Sequence, residues 1–111
     1  MLFRSVHGIG SALFEHMRYD SEGQPLTVTW ADYLLPTMLE VPEIEIHHME
    51  SPTPLNPLGV KGAGEGGATG APAAVMNAIL NALESVGVTE LDMPATPERI
   101  WRAIRAAQAM A

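Results

Sequence analysis

The chain has 111 residues, of which 47% are hydrophobic and only 17% charged, with thirteen acidic and six basic side chains and no cysteine. That is one domain's worth at most, and the acidic balance excludes the basic patch with which a nucleic-acid-binding surface displaces counterions. Without cysteine there is no disulfide framework, thiolate zinc site, iron–sulfur ligand or cysteine nucleophile, and no apolar run approaches the ~20 residues that cross a bilayer.

Met1 to Arg4 is not a secretory signal, because no apolar h-region follows it, and the expected location is cytoplasmic. Residues 6 to 17 are expected to be helical, with Ile9, Leu13 and Met17 recurring at i, i+4, i+8. Gly8 and Gly10 weaken the first turn of that helix and suggest either close approach of another backbone or merely a frayed start. Asp20-Ser21-Glu22-Gly23 signals a turn. Leu26 to Trp30 alternates and is rich in β-branched residues, which predicts a short strand. Asp32 to Leu39 is ambiguous around Pro36. Glu43-Ile44-Glu45-Ile46-His47 alternates polar and apolar residues and predicts a half-buried strand with outward charges. The stretch from Glu15 to Glu50 holds eight acids and one base, Arg18, and so carries the whole net charge of −7; it reads as a solvated face. A charge share this far below the usual ~25% means that part of the remaining surface is expected to be covered by other protein.

Pro52, Pro54 and Pro57 then fix φ and remove backbone donors, so neither helix nor central strand is expected over residues 51 to 67. Five glycines follow between Gly59 and Gly67. The clearest helix runs from about Pro72 to Val86, with Thr69 or Gly70 as its cap, Pro72 in its first turn and Gly87 as its stop. Val75, Ile79, Leu83 and Val86 form its apolar stripe, and Asn77, Asn81, Glu84 and Ser85 its polar side. A final helix starts at Pro97 after a Thr96 cap.

Gly62-Ala63-Gly64-Glu65-Gly66-Gly67 is literally G-x-G-x-x-G before a helix. The dinucleotide-binding fingerprint nevertheless needs an apolar strand immediately upstream, and here Ser51 to Leu58 is proline-rich. A phosphate-binding P-loop fails too, because no Gly-Lys-Ser/Thr closes the run. What remains is one carboxylate, Glu65, set among glycines near a helix start. Glycines allow backbone to lie against a bulky ligand with no Cβ in the way, and a helix N-terminus adds amide donors; a flexible linker is the competing reading. His47 and His48 are adjacent and point apart on a strand, His7 and His16 are isolated, and no metal site is expected from them. The seven scattered methionines read as packing. Ser5, Ser11 and Ser51 lack the strained turn of a nucleophile.

The run Leu55-Asn56-Pro57-Leu58-Gly59-Val60-Lys61-Gly62-Ala63-Gly64-Glu65-Gly66-Gly67 resembles the molybdenum hydroxylases: xanthine dehydrogenase, aldehyde oxidase and aerobic carbon monoxide dehydrogenase. The likeness is to the C-terminal part of their large, molybdopterin-binding subunit. It continues through Gly70-Ala71-Pro72-Ala73-Ala74-Val75, Leu91-Asp92-Met93-Pro94 and Thr96-Pro97-Glu98-Arg99-Ile100-Trp101. Upstream, Gly8-Ile9-Gly10, Asp32-Tyr33-Leu34-Leu35-Pro36 and Val41-Pro42-Glu43-Ile44 are similar as well. Met1 to Ser5 departs from the family, and the family's subunit is several times longer than this chain.

The resemblance implies that Glu65 is a general base, taking the proton from a molybdenum-bound hydroxide or water, and that Lys61, Gly62, Ala63 and Gly64 lie against the cofactor. The implied cofactor is molybdenum–molybdopterin in its cytosine dinucleotide form. FAD and iron–sulfur clusters would sit on partner subunits, beside the remainder of this subunit and a second copy of it. The expectation is therefore one partial domain over residues 1–111, of α+β class: a small sheet of two or three strands and a long helix after a glycine-rich loop. A non-catalytic remnant serving only as an interaction module is the alternative.

Overall fold

The computed structural model describes residues 2–110, and these fold as three helices joined by long irregular connections. Helix α1 spans Leu2–Leu13, α2 Gly66–Leu83 and α3 Pro97–Met110, with a short 3-10 turn, Glu84–Val86, extending α2. Everything between Phe14 and Glu65 is turn and extended chain.

The expected α+β class is therefore corrected. Among the described residues there is no strand and no sheet; the one β feature is an isolated antiparallel bridge between Tyr19 and Pro25. Alternation reports which side chains share a face, whereas a strand also needs a neighbouring backbone for its ladder. Leu26 to Trp30 finds a partner only at its start, where the Leu26 amide donates to Arg18 O at 2.8 Å. Its faces are also inverted. Thr27 is the buried residue, its Oγ1 accepting from the Arg18 amide at 2.9 Å and donating to His16 O at 3.2 Å, while Val28 and Trp30 are exposed. Glu43 to His47 is irregular chain beside the start of α2, without a strand partner. The Asp20 turn forms as expected: the Asp20 carboxylate accepts the Glu22 and Gln24 amides at 2.8 and 2.9 Å, and Gly23 takes a φ of 81°.

Helix α1 begins four residues before the expected range and ends four before its end. Its two glycines consequently sit mid-helix, and the reason is packing. A Cβ on Gly8 would stand 2.7 Å from Ala71 Cβ, 2.9 Å from Pro72 Cδ and 3.1 Å from Ala68 O. Bare backbone of α1 thus rests against the first turns of α2. Ala68 O is the carbonyl that Pro72, having no N–H, cannot serve within the helix. The close approach of another backbone read from the sequence is this contact.

The same contact explains why α2 starts at Gly66 rather than near Pro72. Proline's preference for a first turn is statistical, while helical stability in proteins comes mostly from tertiary packing; here Ala68, Ala71 and Pro72 are all held against α1. Gly87, with φ 83°, ends the 3-10 turn as expected. Thr96 caps α3 as expected, its Oγ1 accepting the Arg99 amide at 3.3 Å.

The core is small: Ala12, Met76, Val88 and Ala95 are its buried hydrophobic residues. The Ala95 amide donates to Ala12 O at 2.6 Å and ties the approach of α3 to α1. Met76 is the buried methionine among the described residues, so the reading of the methionines as packing holds there and not at Met38, Met49 or Met110, which are almost fully exposed. Met1 lies outside the described residues.

Candidate functional site: the proline–glycine loop before helix α2

Residues 51 to 61 form a closed loop rather than a loose linker. Asn56 is its centre: Oδ1 accepts the amides of Leu58 and Val60 at 3.1 and 3.2 Å, and Nδ2 donates to Val60 O at 2.9 Å. The backbone closes the same loop. The Gly59 amide donates to Asn56 O at 3.1 Å, and the Thr53 amide to Gly59 O at 3.0 Å. Gly59 has a φ of 67°, and a Cβ there would meet Pro52 Cβ at 2.8 Å, so glycine is required twice over. At the mouth of the loop, Lys61 Nζ donates to Ser51 Oγ at 2.8 Å.

Beyond this clasp the chain is open. Lys61, Gly62, Ala63, Gly64 and Glu65 are all exposed. Nothing lies within 4 Å of the place where a Cβ of Gly62 or Gly64 would stand. Glu65 occupies the N-cap of α2 with φ −113° and ψ 3°, and its side chain makes no capping bond. Its backbone carbonyl does the anchoring: it accepts the Ala68 and Thr69 amides at 2.9 and 3.1 Å and the Thr69 hydroxyl at 3.1 Å. A cavity of about 230 Å³ lies alongside, bounded by Ser5, Ile44 to His47, Gly66 and Gly67. That is below the roughly 300–1,000 Å³ of ligand pockets, so this cavity is too small to be a ligand pocket by itself.

The residues singled out in the sequence are thus placed on one exposed span, held at its start by the Asn56 clasp and at its end by α2. Lys61 is turned back onto Ser51. Asn56, Ser51 and Thr53 were not singled out by sequence reasoning as holding the loop, although Asn-Pro is a turn-initiating dipeptide and marks Asn56. His47 Nε2 is 3.5 Å from Glu45 Oε2, both well exposed.

Residues 5–42 match the molybdopterin cofactor-binding domain family. The chain is 46% identical over 100 residues to the nicotine 6-hydroxylase large subunit of Paenarthrobacter nicotinovorans, covering 90% of this chain and 12% of that one. It belongs to the molybdenum hydroxylase family, as a segment of the large subunit. The helical arrangement agrees with two solved structures. Quinoline 2-oxidoreductase from Pseudomonas putida 86 superposes with a TM-score of 0.83 and 46% identity over 93% of this chain and 14% of that one. The Cu,Mo carbon monoxide dehydrogenase superposes with a TM-score of 0.90 and 26% identity over 99% of this chain and 14% of that one. The chain thus spans about an eighth of the length of the molybdenum hydroxylase subunits it matches.

Proposed function

We propose that this chain supplies the general base of a molybdopterin-dependent hydroxylase or dehydrogenase of the cytoplasm, and that the base is the Glu65 carboxylate. The observation that carries the reading is the setting of Glu65. It is an exposed carboxylate with no hydrogen bond of its own, fixed at the start of α2 and preceded by glycines whose Cβ positions are free of neighbours. Bare backbone at Gly62 and Gly64 suits close contact with a bulky cofactor, and amides at a helix start suit its anionic groups. The residues present therefore fit a molybdopterin, which we take in its cytosine dinucleotide form.

When bound, that cofactor supplies the oxidising centre that accepts the electron pair from the substrate carbon. This chain's part is positional and proton-handling. Gly62, Ala63 and Gly64 line the cofactor, and Lys61 stands beside them, held back by Ser51. Glu65 accepts the proton of the attacking oxygen nucleophile, for which a base must lie within hydrogen-bond reach. We place the segment, residues 1–111, as one partial domain in the C-terminal part of the large subunit. The complete protein works with FAD-binding and iron–sulfur subunits, and its large subunit pairs with a second copy.

The test is turnover per bound molybdenum in the assembled enzyme. Glu65→Gln keeps size and hydrogen bonding but cannot take the proton, and should lower turnover by roughly 10²–10⁴ or more with molybdenum content intact. Glu84→Gln, exposed beyond the end of α2, should be silent. Retention of most of the turnover by Glu65→Gln would sink the assignment.

A further inference from the structure

We propose that Asn56 is a positioning residue for the cofactor-contacting run Lys61 to Gly64, an inference that rests on the reading of that run given above. The run has little to hold it in place. Between Lys61 and Glu65 the backbone is exposed, and the first backbone bond met downstream is the long one from the Gly66 amide to Ala63 O, at 3.4 Å. Its course is set by its two ends. The downstream end is α2 itself, through Glu65 O. The upstream end is the Asn56 clasp, and its last two bonds fall on Val60, the residue immediately before the run: Asn56 Oδ1 takes the Val60 amide and Asn56 Nδ2 gives to the Val60 carbonyl.

One side chain therefore grips both polar groups of the peptide chain at Val60 and fixes the direction in which Lys61 leaves. Asparagine is suited to this because its amide carries a donor and an acceptor on one rigid plane. Pro57 beside it removes a competing donor and restricts Asn56 to extended backbone, from which the side chain reaches forward over the turn. The two prolines earlier in the segment stiffen the stretch of chain that Thr53 and Ser51 use to close the loop from the other side. A span of bare glycine backbone has no side chains with which to find its own place. The geometry assigns that work to Asn56.

The experiment uses the full-length subunit carrying this segment. Amide hydrogen exchange is followed peptide by peptide, and release of the molybdopterin is timed after dilution. Asn56→Ala should speed exchange at Leu58 and Val60 roughly tenfold, the order of one net hydrogen bond. Exchange over residues 61 to 64 should quicken with it, α1 and α2 should be unchanged, and the cofactor should leave several-fold faster. Asn56→Asp keeps the acceptor for both amides and should restore most of the protection at Leu58 and Val60. Release at the native rate from Asn56→Ala overturns the proposal, as does a loss of protection spread evenly through α1 and α2, which would mark a general folding role. Gly64→Val tests the reading underneath. If it holds the cofactor as firmly as the native chain, the run does not lie against the cofactor, and this inference falls with that reading whatever Asn56→Ala does.

Discussion

Gly8 is where α1 meets α2, and the absence of a side chain there is a packing requirement. A methyl group would stand 2.7 Å from Ala71 Cβ, closer than two carbons can sit, and the neighbour it meets is itself a short side chain on a helix. Overpacking of this kind typically costs about 1–3 kcal/mol. Gly8→Ala should lower the melting temperature of the full-length subunit and, by displacing the first turns of α2, also its molybdenum content; an unchanged melt would show that α2 can retreat freely. Tyr33 offers a second test at this scale. Its hydroxyl donates to Glu15 Oε2, and that hydrogen bond, then partial burial, then the nearby negative charge, raise its pKa above the usual tyrosine value. A raised folded-state value means that the stabilisation is present below the unfolded pKa of about 10 and is lost as pH rises through the folded one. Phenolate absorbance should therefore show Tyr33 ionising at higher pH in the native protein than in Glu15→Gln. Glu40 behaves in the opposite sense: the Thr37 hydroxyl and amide hold its carboxyl below the usual range, so the turn they close should loosen as pH falls through that lowered value.

The elements differ in how far they could be read from sequence, and the difference is one of local against distant cause. The Asp20 turn, the Gly87 stop and the Thr96 cap were legible because each is decided by the residues within it: an Asx hydrogen bond, a positive φ, a hydroxyl on an amide. The start of α2 was not, because Gly66 to Ala71 is helical on account of its contact with α1, far upstream in sequence. The two expected strands failed for a related reason. Val28, Trp30 and Ile46 alternate correctly but are exposed, and no neighbouring backbone accompanies them. At the candidate site the glycine run and Glu65 stood out by composition, whereas the clasp beneath them is made of side-chain–backbone bonds that only a folded loop displays. The α3 cap gives a direct check at this scale. Thr96→Ala should cost roughly 0.5–2 kcal/mol at the helix start, seen as faster amide exchange at Arg99 and Ile100, while the exchange of α2 is unaffected.

As a whole the molecule is more open than its size warrants. Its radius of gyration is 17.9 Å, against about 13 Å for a compact domain of this length. Its accessible surface is 8673 Å², about 2,700 Å² more than a folded monomer of 11.9 kDa normally shows. The low charge share noticed in the sequence has its counterpart in Phe3, Trp30, Met38, Leu39, Leu55, Leu58 and Trp101, all well exposed. The 111-residue chain by itself is expected to bind an apolar-surface dye and to melt without a sharp transition; a cooperative melt with no dye signal would contradict this. It is also expected to retain no molybdenum after purification, since a single open loop offers the cofactor too few donors.

That excess area has a consequence for how the protein could be taken apart. A standard protein–protein interface occupies about 800 Å² on each partner, and the surplus here is roughly three times that. The segment should therefore behave as the smaller piece of a split protein. Supplied as a separate polypeptide to a large subunit from which it has been cut away, it should reassociate in trans and restore molybdenum-dependent turnover. The same peptide carrying Glu65→Gln should reassociate equally well and restore roughly 10²–10⁴-fold less turnover, so that binding and proton transfer are read out separately in the same tube.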